Sequence, residues 1–196
     1  MKAVCVFCGS SSGIAPAYSE AARATGSAVA RAGLRLVYGG GRVGLMGSLA
    51  DAALEAGGQV IGIIPRALAE SEISHQGLSE LQLVETMHER KARMAQLADA
   101  FVALPGGAGT LEEIFEQWTW AQLGVHGKPC GFLNVKGYFD PLLEMIGRMT
   151  AEQFIQPEYA SMLVVETEPE RLLARFAAYR PPLRKWLGRG TLAVEA

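Results

Sequence analysis

The stretch FVALPGGAGTLEEIF, from Phe101 to Phe115, decides how this chain folds. An apolar run that suits a buried strand ends at Leu104, a glycine-rich turn follows, and apolar residues then recur at helical spacing. A strand that enters a helix through a short loop is the repeating unit of parallel α/β sheets. The free N–H groups and the dipole at the start of such a helix attract anions. This stretch therefore predicts a buried strand, an anion-binding loop and a helix.

The same alternation extends over most of the chain. Short apolar, β-branched runs predict strands at Ala3–Cys8, Leu34–Tyr38, Gln59–Ile64, Leu81–Glu85, Phe101–Leu104, Pro129–Val135 and Met162–Val165. Helical periodicity predicts helices at Pro16–Arg31, Gly44–Glu55, Met87–Ala98, Leu111–Leu123, Tyr138–Met149 and Pro169–Tyr179. This order is typical of a Rossmann-like α/β fold, a doubly wound parallel sheet with helices on both faces. The 196 residues suit a single domain, predicted over 1–180, followed by a C-terminal tail over 181–196.

Composition narrows the class of partner. A formal charge of −2 and a pI of about 6.0 give no basic field for nucleic acid or an anionic membrane. No apolar run reaches the length of a membrane span, and the N-terminal run is too short for a signal peptide. The cysteines are few, and the C-x-x-C spacing of Cys5 and Cys8 has no second pair to complete a metal site. We expect a cytoplasmic protein that acts on a small molecule and uses no metal and no cofactor.

Glycine-rich loops follow three of the predicted strands: FCGSSSG, YGGGRVGLMG and LPGGAGT. In doubly wound sheets, ligands bind at the carboxyl ends of the strands, near the point where the strand order reverses. The second loop contains G-x-G-x-x-G at Gly39, Gly41 and Gly44, which leaves a nicotinamide-dependent oxidoreductase as one alternative. That fingerprint usually follows the first strand and precedes an acidic residue, whereas the next strand here ends in Pro65 and Arg66. Tight packing of strand against helix explains some of these glycines, but it is a weak explanation for three in succession.

Glu113 has a structural and a chemical interpretation. Thr110 stands where an N-cap is expected, and Glu113 then completes a T-x-x-E capping box. Trp120 lies off the apolar stripe of this helix, which indicates a second buried surface such as a subunit contact, or else a partly exposed tryptophan. The stripe itself consists of Leu111, Ile114, Phe115 and Trp118.

The stretch TMHERKARM, from Thr86 to Met94, opens another predicted helix. A Glu89–Arg93 pair at i, i+4 is a structural explanation for part of its charge. Arg90 and Lys91 lie near the start of the helix, where the helix dipole disfavours cations. We therefore expect an anionic group to face them.

Taken together, PGGAGTLEE, MHERKARM and YGGGRVGLMG closely resemble the motifs of the Lonely Guy family of cytokinin riboside 5′-monophosphate phosphoribohydrolases, including the pattern PGGxGTxxE. The similarity runs from VCVFCGSSSG to the last predicted helix, and no motif position departs from the family. The resemblance implies hydrolysis of the N-glycosidic bond of an N6-substituted AMP. The products would be the free cytokinin base and ribose 5-phosphate, and the enzyme would be a homodimer.

The resemblance also implies roles for individual residues. Arg90 and Glu113 match the family's catalytic pair. The implied contacts to the phosphate and the rest of the substrate are Gly40, Gly41, Glu72, Lys91, Gly106, Gly107, Gly109, Thr110 and Thr119. A carboxylate beside the anomeric carbon would stabilise the positive charge that develops on the ribose when this bond breaks.

Several alternatives stay open at the level of sequence. Glu113 could act as electrostatic stabiliser, as nucleophile or as base, and plain AMP could be a substrate as well. A protein that binds nucleotides or other phosphorylated ligands without catalysis would keep the glycine loops but would not need the Arg90–Glu113 pair.

Overall fold

The computed structural model describes residues 1–71 and 74–182 and contains one sheet of seven strands. The strands are β1 (Ala3–Phe7), β2 (Arg35–Tyr38), β3 (Val60–Pro65), β4 (Glu80–Val84), β5 (Ala100–Ala103), β6 (Cys130–Leu133) and β7 (Leu163–Glu166). Each of them lies within one or two residues of a predicted strand. The sequence prediction of the strands is therefore confirmed.

The strand order is β4-β3-β2-β1-β5-β6-β7, and every neighbouring pair is parallel. One half of the sheet grows outward from β1 and the other half from β5, so the order reverses between these two strands. The loops that follow β1 and β5 meet at this topological switch point, where Gly9 N donates to Pro105 O at 3.1 Å. The predicted doubly wound parallel fold is confirmed, and it brings two of the three glycine-rich loops together.

Helices join the strands. They are α1 (Pro16–Arg31), α2 (Gly44–Glu55), α3 (Arg66–Ser71), α4 (Met87–Leu97), α5 (Ala108–Gln122), α6 (Asp140–Ala151), α7 (Pro157–Ala160) and α8 (Pro169–Ala178). The six predicted helices are present, although a short 3₁₀ turn at Val135–Gly137 delays the start of α6. Helices α3 and α7 were not predicted, because six and four residues are too few to show a helical period.

Every strand except the edge strand β4 shares its residues between two cores. On β1, Ala3, Cys5 and Phe7 face one core, while Val4 and Val6 face the other. Residues of α4, α5 and α6 pack in the first core, and residues of α1, α2 and α8 pack in the second. Burial on both faces is why these strands are apolar almost throughout.

The predicted apolar stripe anchors α5 in the first core. Ile114 and Trp118 are buried, Leu111 and Phe115 are half-buried, and the Trp118 indole donates to the carbonyl of Tyr159 at 3.0 Å. This anchoring positions the start of α5 beside the switch point.

The predicted tail begins at residue 181, and all of it after residue 182 lies outside the described residues. Within the described ranges, no helix has the length and apolar character needed to cross a membrane.

Candidate active site

Helix α5 begins at Ala108, its N-cap is Gly107, and no side chain caps it. The prediction that Thr110 is the N-cap of a capping box with Glu113 is therefore wrong. Thr110 is the third residue of the helix, and Glu113 lies in its second turn. The helix starts earlier than predicted because Gly107 itself takes the extended N-cap conformation, which glycine adopts readily. As a result, no capping side chain competes with an anion for the N–H groups of the first turn.

The glycines of this loop differ in their surroundings. A Cβ on Gly106 would lie 2.1 Å from Thr110 Oγ1 and 2.8 Å from Gly9 N, so packing requires a glycine there. A Cβ on Gly107 or Gly109 would meet no atom within 4 Å. Packing therefore does not require glycine at these two positions, and their open surroundings would allow a ligand to approach the backbone.

A T-x-x-E cap is present instead at the start of α4. Thr86 Oγ1 accepts from Glu89 N–H at 3.1 Å, and the Glu89 carboxylate accepts from Glu85 N–H at 2.8 Å. Arg93, the predicted partner of Glu89, donates to Gln82 at 2.7 Å. The cap fixes the first turn of α4, and therefore the position of Arg90.

Main-chain carbonyls hold the guanidinium of Arg90. Its Nε donates to Ile63 O in β3, and its Nη2 donates to Gly39 O just after β2, each at 3.1 Å. A Cβ on Gly39 would lie 2.0 Å from Arg90 Nη2. The first glycine of the G-x-G-x-x-G pattern therefore makes room for Arg90, a role that the sequence did not reveal.

Other glycines of the second loop also have steric explanations. Gly40 has a φ of +79°, and Gly44 has a φ of +59° and would bring a Cβ within 2.3 Å of the Ser10 carbonyl carbon. The Gly40 carbonyl accepts from His75 N–H at 3.0 Å, and Gly41 pairs with Ser74 in an isolated antiparallel bridge. Packing and backbone conformation therefore explain more of these glycines than the sequence indicates. A bound pyrophosphate is not needed to explain them.

Glu113 faces Arg90. Its Oε1 lies 4.0 Å from Arg90 Nη1, and the two side chains are only 13% and 12% exposed. Burial raises the pKa of Glu113 to about 7; Glu112 and Glu116 add to this rise, and Arg90 and Lys91 oppose it. Near neutral pH the carboxyl exists in both protonation states, which suits proton transfer or electrostatic catalysis.

Lys91 lies behind this pair. Its ammonium contacts Glu112 and lies 3.0 Å from Glu116 Oε1, and its side chain is 8% exposed. Burial alone would lower the pKa of Lys91, but the bonds to the two carboxylates outweigh it and raise the pKa. The expectation that anionic groups face Arg90 and Lys91 is confirmed, and the groups are carboxylates of the protein itself.

The Arg90–Glu113 pair opens into a cavity of about 380 Å³, here called the acid cavity. Its lining residues come from the loop after β1 and from α2, α4 and α5: Cys8, Gly9, Ser10, Met46, Met87, Arg90, Gly107, Ala108, Gly109, Thr110, Glu112 and Glu113. An adjoining serine-loop cavity of about 300 Å³ shares Gly9, Ser10 and Gly107 with it. Cavities of this combined size at a switch point suit a small organic ligand.

Most residues that line the serine-loop cavity were not singled out by the sequence as site residues; Gly106 and Gly107 are the exceptions. Beyond the shared residues it is lined by Ser11, Ser12, Gly13, Tyr18, Leu45, Pro105, Gly106 and Tyr138. The Tyr138 hydroxyl donates to Gly106 O at 2.6 Å and so ties the turn before α6 to the glycine loop. For Ser11, Ser12 and Gly13, the one indication in the sequence is that their loop follows a predicted strand.

The structure gathers most, but not all, of the predicted site residues. The acid cavity contains Arg90, Gly107, Gly109, Thr110 and Glu113, and the serine-loop cavity contains Gly106. Lys91, Gly40 and Gly41 are not among the residues that line either cavity, and Thr119 is exposed on α5. Glu72 lies outside the described residues.

The cysteines near the site are uncharged thiols. Cys5 is buried in β1 and Cys8 is half-buried in the cavity wall, and burial raises the pKa of both. Within 1–71 and 74–182, no group of three or more His, Cys, Asp and Glu side chains is arranged to hold a metal ion.

The fold and the site define a class of protein. It is a parallel α/β protein with a glycine-rich loop at its switch point, a following helix that no side chain caps, and a largely buried arginine–carboxylate pair beside the loop.

Comparison with known proteins identifies the family. The sequence profile described as possible lysine decarboxylase matches residues 46–176. A cytokinin riboside 5′-monophosphate phosphoribohydrolase of Rhodococcoides fascians is 52% identical over 174 residues, which cover 88% of each chain. One of Arabidopsis thaliana is 49% identical over 180 residues, 92% of this chain and 79% of the relative. The chain belongs to the family of cytokinin riboside 5′-monophosphate phosphoribohydrolases, the Lonely Guy family.

Solved structures share the fold at lower identity. The molybdenum cofactor binding protein from Rippkaea orientalis has a TM-score of 0.69 and 20% identity, covering 91% of this chain and 97% of that one. The molybdenum cofactor carrier protein from Chlamydomonas reinhardtii has a TM-score of 0.67 and 22% identity, covering 91% and 100%. At such identities the likeness concerns the fold alone.

Proposed function

We propose that this protein hydrolyses the N-glycosidic bond of cytokinin riboside 5′-monophosphates, which are N6-substituted derivatives of AMP, and releases the free base and ribose 5-phosphate. It is an enzyme of a family whose named members are phosphoribohydrolases. The observation that carries the proposal is the buried Arg90–Glu113 pair, 4.0 Å apart, in the same cavity as an uncapped helix N-terminus. A protein that only bound a nucleotide would have no use for a buried acid whose pKa is raised to about 7.

The 5′-phosphate is assigned to the start of α5. The N–H groups of its first turn have no capping side chain, and the positive end of the helix dipole lies there. Gly107 and Gly109 leave the backbone open to a ligand on the cavity side. The ribose then extends along the cavity toward Glu113.

Glu113 is assigned to the anomeric carbon. When the C1′–N bond breaks, its electron pair leaves with the base and positive charge develops on the ribose. A water oxygen then bonds to C1′, and the water's proton balances the charge on the departing base. A buried carboxylate stabilises the ribosyl charge more in the transition state than in the ground state. The roles of stabiliser, nucleophile and base all require the ionised carboxylate.

Arg90 is assigned to the space between the acid and the phosphate. Its cation offsets the repulsion between the Glu113 carboxylate and the substrate dianion. Backbone carbonyls fix two of its nitrogens, and its Nη1 is the nitrogen that faces Glu113. It therefore acts in the geometry it already has before substrate binds.

The family resemblance supports further assignments. It assigns substrate contacts to Gly40, Gly41, Glu72, Lys91 and Thr119, residues that do not line the cavities described above or, for Glu72, lie outside the described residues. We assign the nucleotide-hydrolysing domain to residues 1–180, with 181–196 as a tail, and the protein to the cytoplasm.

The base preference is tested by comparing AMP with its N6-isopentenyl derivative. We expect ribose 5-phosphate to be released from both, with the higher kcat/KM for the substituted nucleotide, because Met46 and Met87 give the acid cavity flexible apolar walls. Release of ribose 5-phosphate and of free base should be measured together. Faster hydrolysis of plain AMP would overturn the cytokinin assignment but not the hydrolase, and no release from either would overturn both.

We also propose a homodimer with the C-terminal half of α5 at or near its interface. Trp120 there is only half-buried, and Leu123 and Val125 just beyond it are 42% and 67% exposed. Such an apolar surface suits a self-complementary contact about a two-fold axis. Light scattering at micromolar concentration should give twice the mass of the 20.9 kDa chain. Replacing Val125 with aspartate should shift the protein toward monomer, and a wild-type monomer would contradict the proposal.

A further inference from the structure

Lys91 links the two helices that carry the proposed catalytic residues. It follows Arg90 on α4, and its partners Glu112 and Glu116 flank Glu113 on α5. It is 7% exposed and is not among the residues that line the acid cavity. Its ammonium is therefore occupied by the protein rather than directed at the expected position of the phosphate.

We propose that Lys91 is a positioning residue, which clamps α4 to α5 through Glu112 and Glu116 and thereby sets the distance and the ionisation of the Arg90–Glu113 pair. This inference rests on the proposed function only for its kinetic tests. It differs from the role that the family resemblance gives to Lys91, which is a direct contact with substrate.

The geometric part follows from adjacency. Lys91 and Arg90 are neighbours on α4, and Glu112 and Glu113 are neighbours on α5. The contact of Lys91 with Glu112 therefore restricts how Arg90 and Glu113 can be placed relative to each other. The clamp is short, with 3.0 Å from Lys91 Nζ to Glu116 Oε1, whereas the Arg90–Glu113 separation is 4.0 Å. Backbone carbonyls hold Arg90, and the 4.0 Å contact is too long to hold Glu113 beside it, so we assign to the shorter Lys91 contacts the placement of Glu113 relative to Arg90.

The electrostatic part follows from the groups around Glu113. Arg90 and Lys91 act on it from α4, the carboxylates of Glu112 and Glu116 from α5, and the uncharged thiols of Cys5 in β1 and Cys8 just after β1. Lys91 is the cation that contacts both flanking carboxylates and offsets one of their two negative charges. Without it, like charge beside Glu113 would raise the pKa of Glu113 further and leave less of the ionised form at neutral pH.

The first test compares Lys91→Met with wild type on a nucleotide and on the matching nucleoside. A positioning residue should lower kcat/KM by about tenfold for both substrates, mainly through kcat, because a displaced acid affects the bond-breaking step in each. A direct phosphate ligand would lower the value for the nucleotide alone and raise its KM, and that result would overturn the proposal. Arg23→Met, which removes an exposed ion pair with Glu55, is the control. It should leave kcat/KM unchanged for both substrates.

The second test uses the pH profile. The acid limb of kcat/KM should move to higher pH by about one unit in Lys91→Met, because the pKa of Glu113 rises when its neighbouring cation is lost. Adding Glu112→Gln and Glu116→Gln to Lys91→Met should return the limb toward its wild-type position. Lys91→Arg, which keeps the charge, should leave the limb in place even if kcat falls. A limb that does not move in Lys91→Met, or is not restored, would overturn the electrostatic part.

A third measurement needs no substrate. In thermal melts at pH 8, Lys91→Met should lower the Tm more in wild type than in a Glu113→Gln background, since Lys91 stabilises the ionised acid. At pH 5, where Glu113 is protonated in both Lys91 forms, the two decreases should be equal. Equal decreases at both pH values would overturn the coupling, even if the protein hydrolysed no nucleotide at all. If Lys91→Met does not fold, the same comparison is made with Lys91→Gln.

Discussion

Replacing Glu113 with glutamine should lower kcat/KM for the nucleotide by about 100-fold or more while leaving the fold intact. An amide is neutral, so it cannot stabilise a developing ribosyl cation, attack C1′ or accept a proton from water. The change is nearly isosteric, and Glu113 does not cap its helix, since α5 begins at Ala108 with Gly107 as N-cap. Affinity for the phosphate should stay the same or improve, because a nearby negative charge is removed.

The same variant should be more stable than wild type at alkaline pH. Burial raises the pKa of Glu113 from 4.5 to about 7, so the folded protein holds this proton more tightly than the unfolded chain does. Ionisation therefore costs folding free energy, and that cost grows as the pH rises from about 4.5 to 7 and is complete above. By linkage, ionising Glu113 lowers the free energy of unfolding of the wild type by about 3 kcal/mol at pH 8. The Glu113→Gln variant does not lose this free energy, because an amide does not ionise.

A thermal melt and a turnover rate on the same preparation test both parts. Glu144→Gln, an exposed change on α6, is the matched control and should leave melt and rate unaltered. If Glu113→Gln is folded and still hydrolyses at nearly the wild-type rate, the catalytic assignment of Glu113 is wrong.

Removing the 5′-phosphate from the substrate should lower kcat/KM by at least ~100-fold. The dianion meets the uncapped N–H groups and the dipole of α5, interactions that a nucleoside hydroxyl replaces only weakly. Nucleotide and nucleoside should be compared under the same conditions by release of the free base. Equal rates for the two would contradict the assignment of the phosphate to this loop.

Gly109→Ala sharpens that comparison. Beyond its chain neighbours and its own helix backbone, a Cβ at Gly109 meets no protein atom within 4 Å, so the variant should fold normally while its methyl group occupies open space in the wall of the acid cavity, where we assign the phosphate. We expect it to slow the nucleotide reaction by about tenfold and to leave the slower nucleoside reaction nearly unchanged. An equal loss for both substrates would show that the loop positions something other than the phosphate.

The sheet was predictable because its signal is local. Except for β4 at the edge of the sheet, each strand is a short run with buried residues on both faces, and each long helix shows a period within its own residues. Errors arose where two local preferences compete. Threonine is a good N-cap by propensity, yet the N-cap is Gly107, three residues before Thr110.

The sequence singled out Arg90 and Glu113, which the structure brings to within 4.0 Å of each other, but it did not show what holds them in place. The motifs name Arg90 and Glu113, whereas the carbonyls that hold Arg90 lie 27 and 51 residues away along the chain. Those contacts exist because β2 and β3 are neighbours and both end beneath α4, a fact of strand order rather than of motif. The steric reason for a glycine at position 39 could not be found from the sequence either, because it depends on how near Arg90 lies in the fold.

The carbonyl contacts of Arg90 have a thermodynamic consequence. An arginine on a free surface loses much of its rotamer entropy when it binds a ligand, and affinity falls accordingly. Here Ile63 O and Gly39 O hold the guanidinium before any substrate arrives, so that entropy is lost during folding. The cation should therefore remain as rigid as strands β2 and β3 themselves, and its position should be the same in the free and the substrate-bound enzyme.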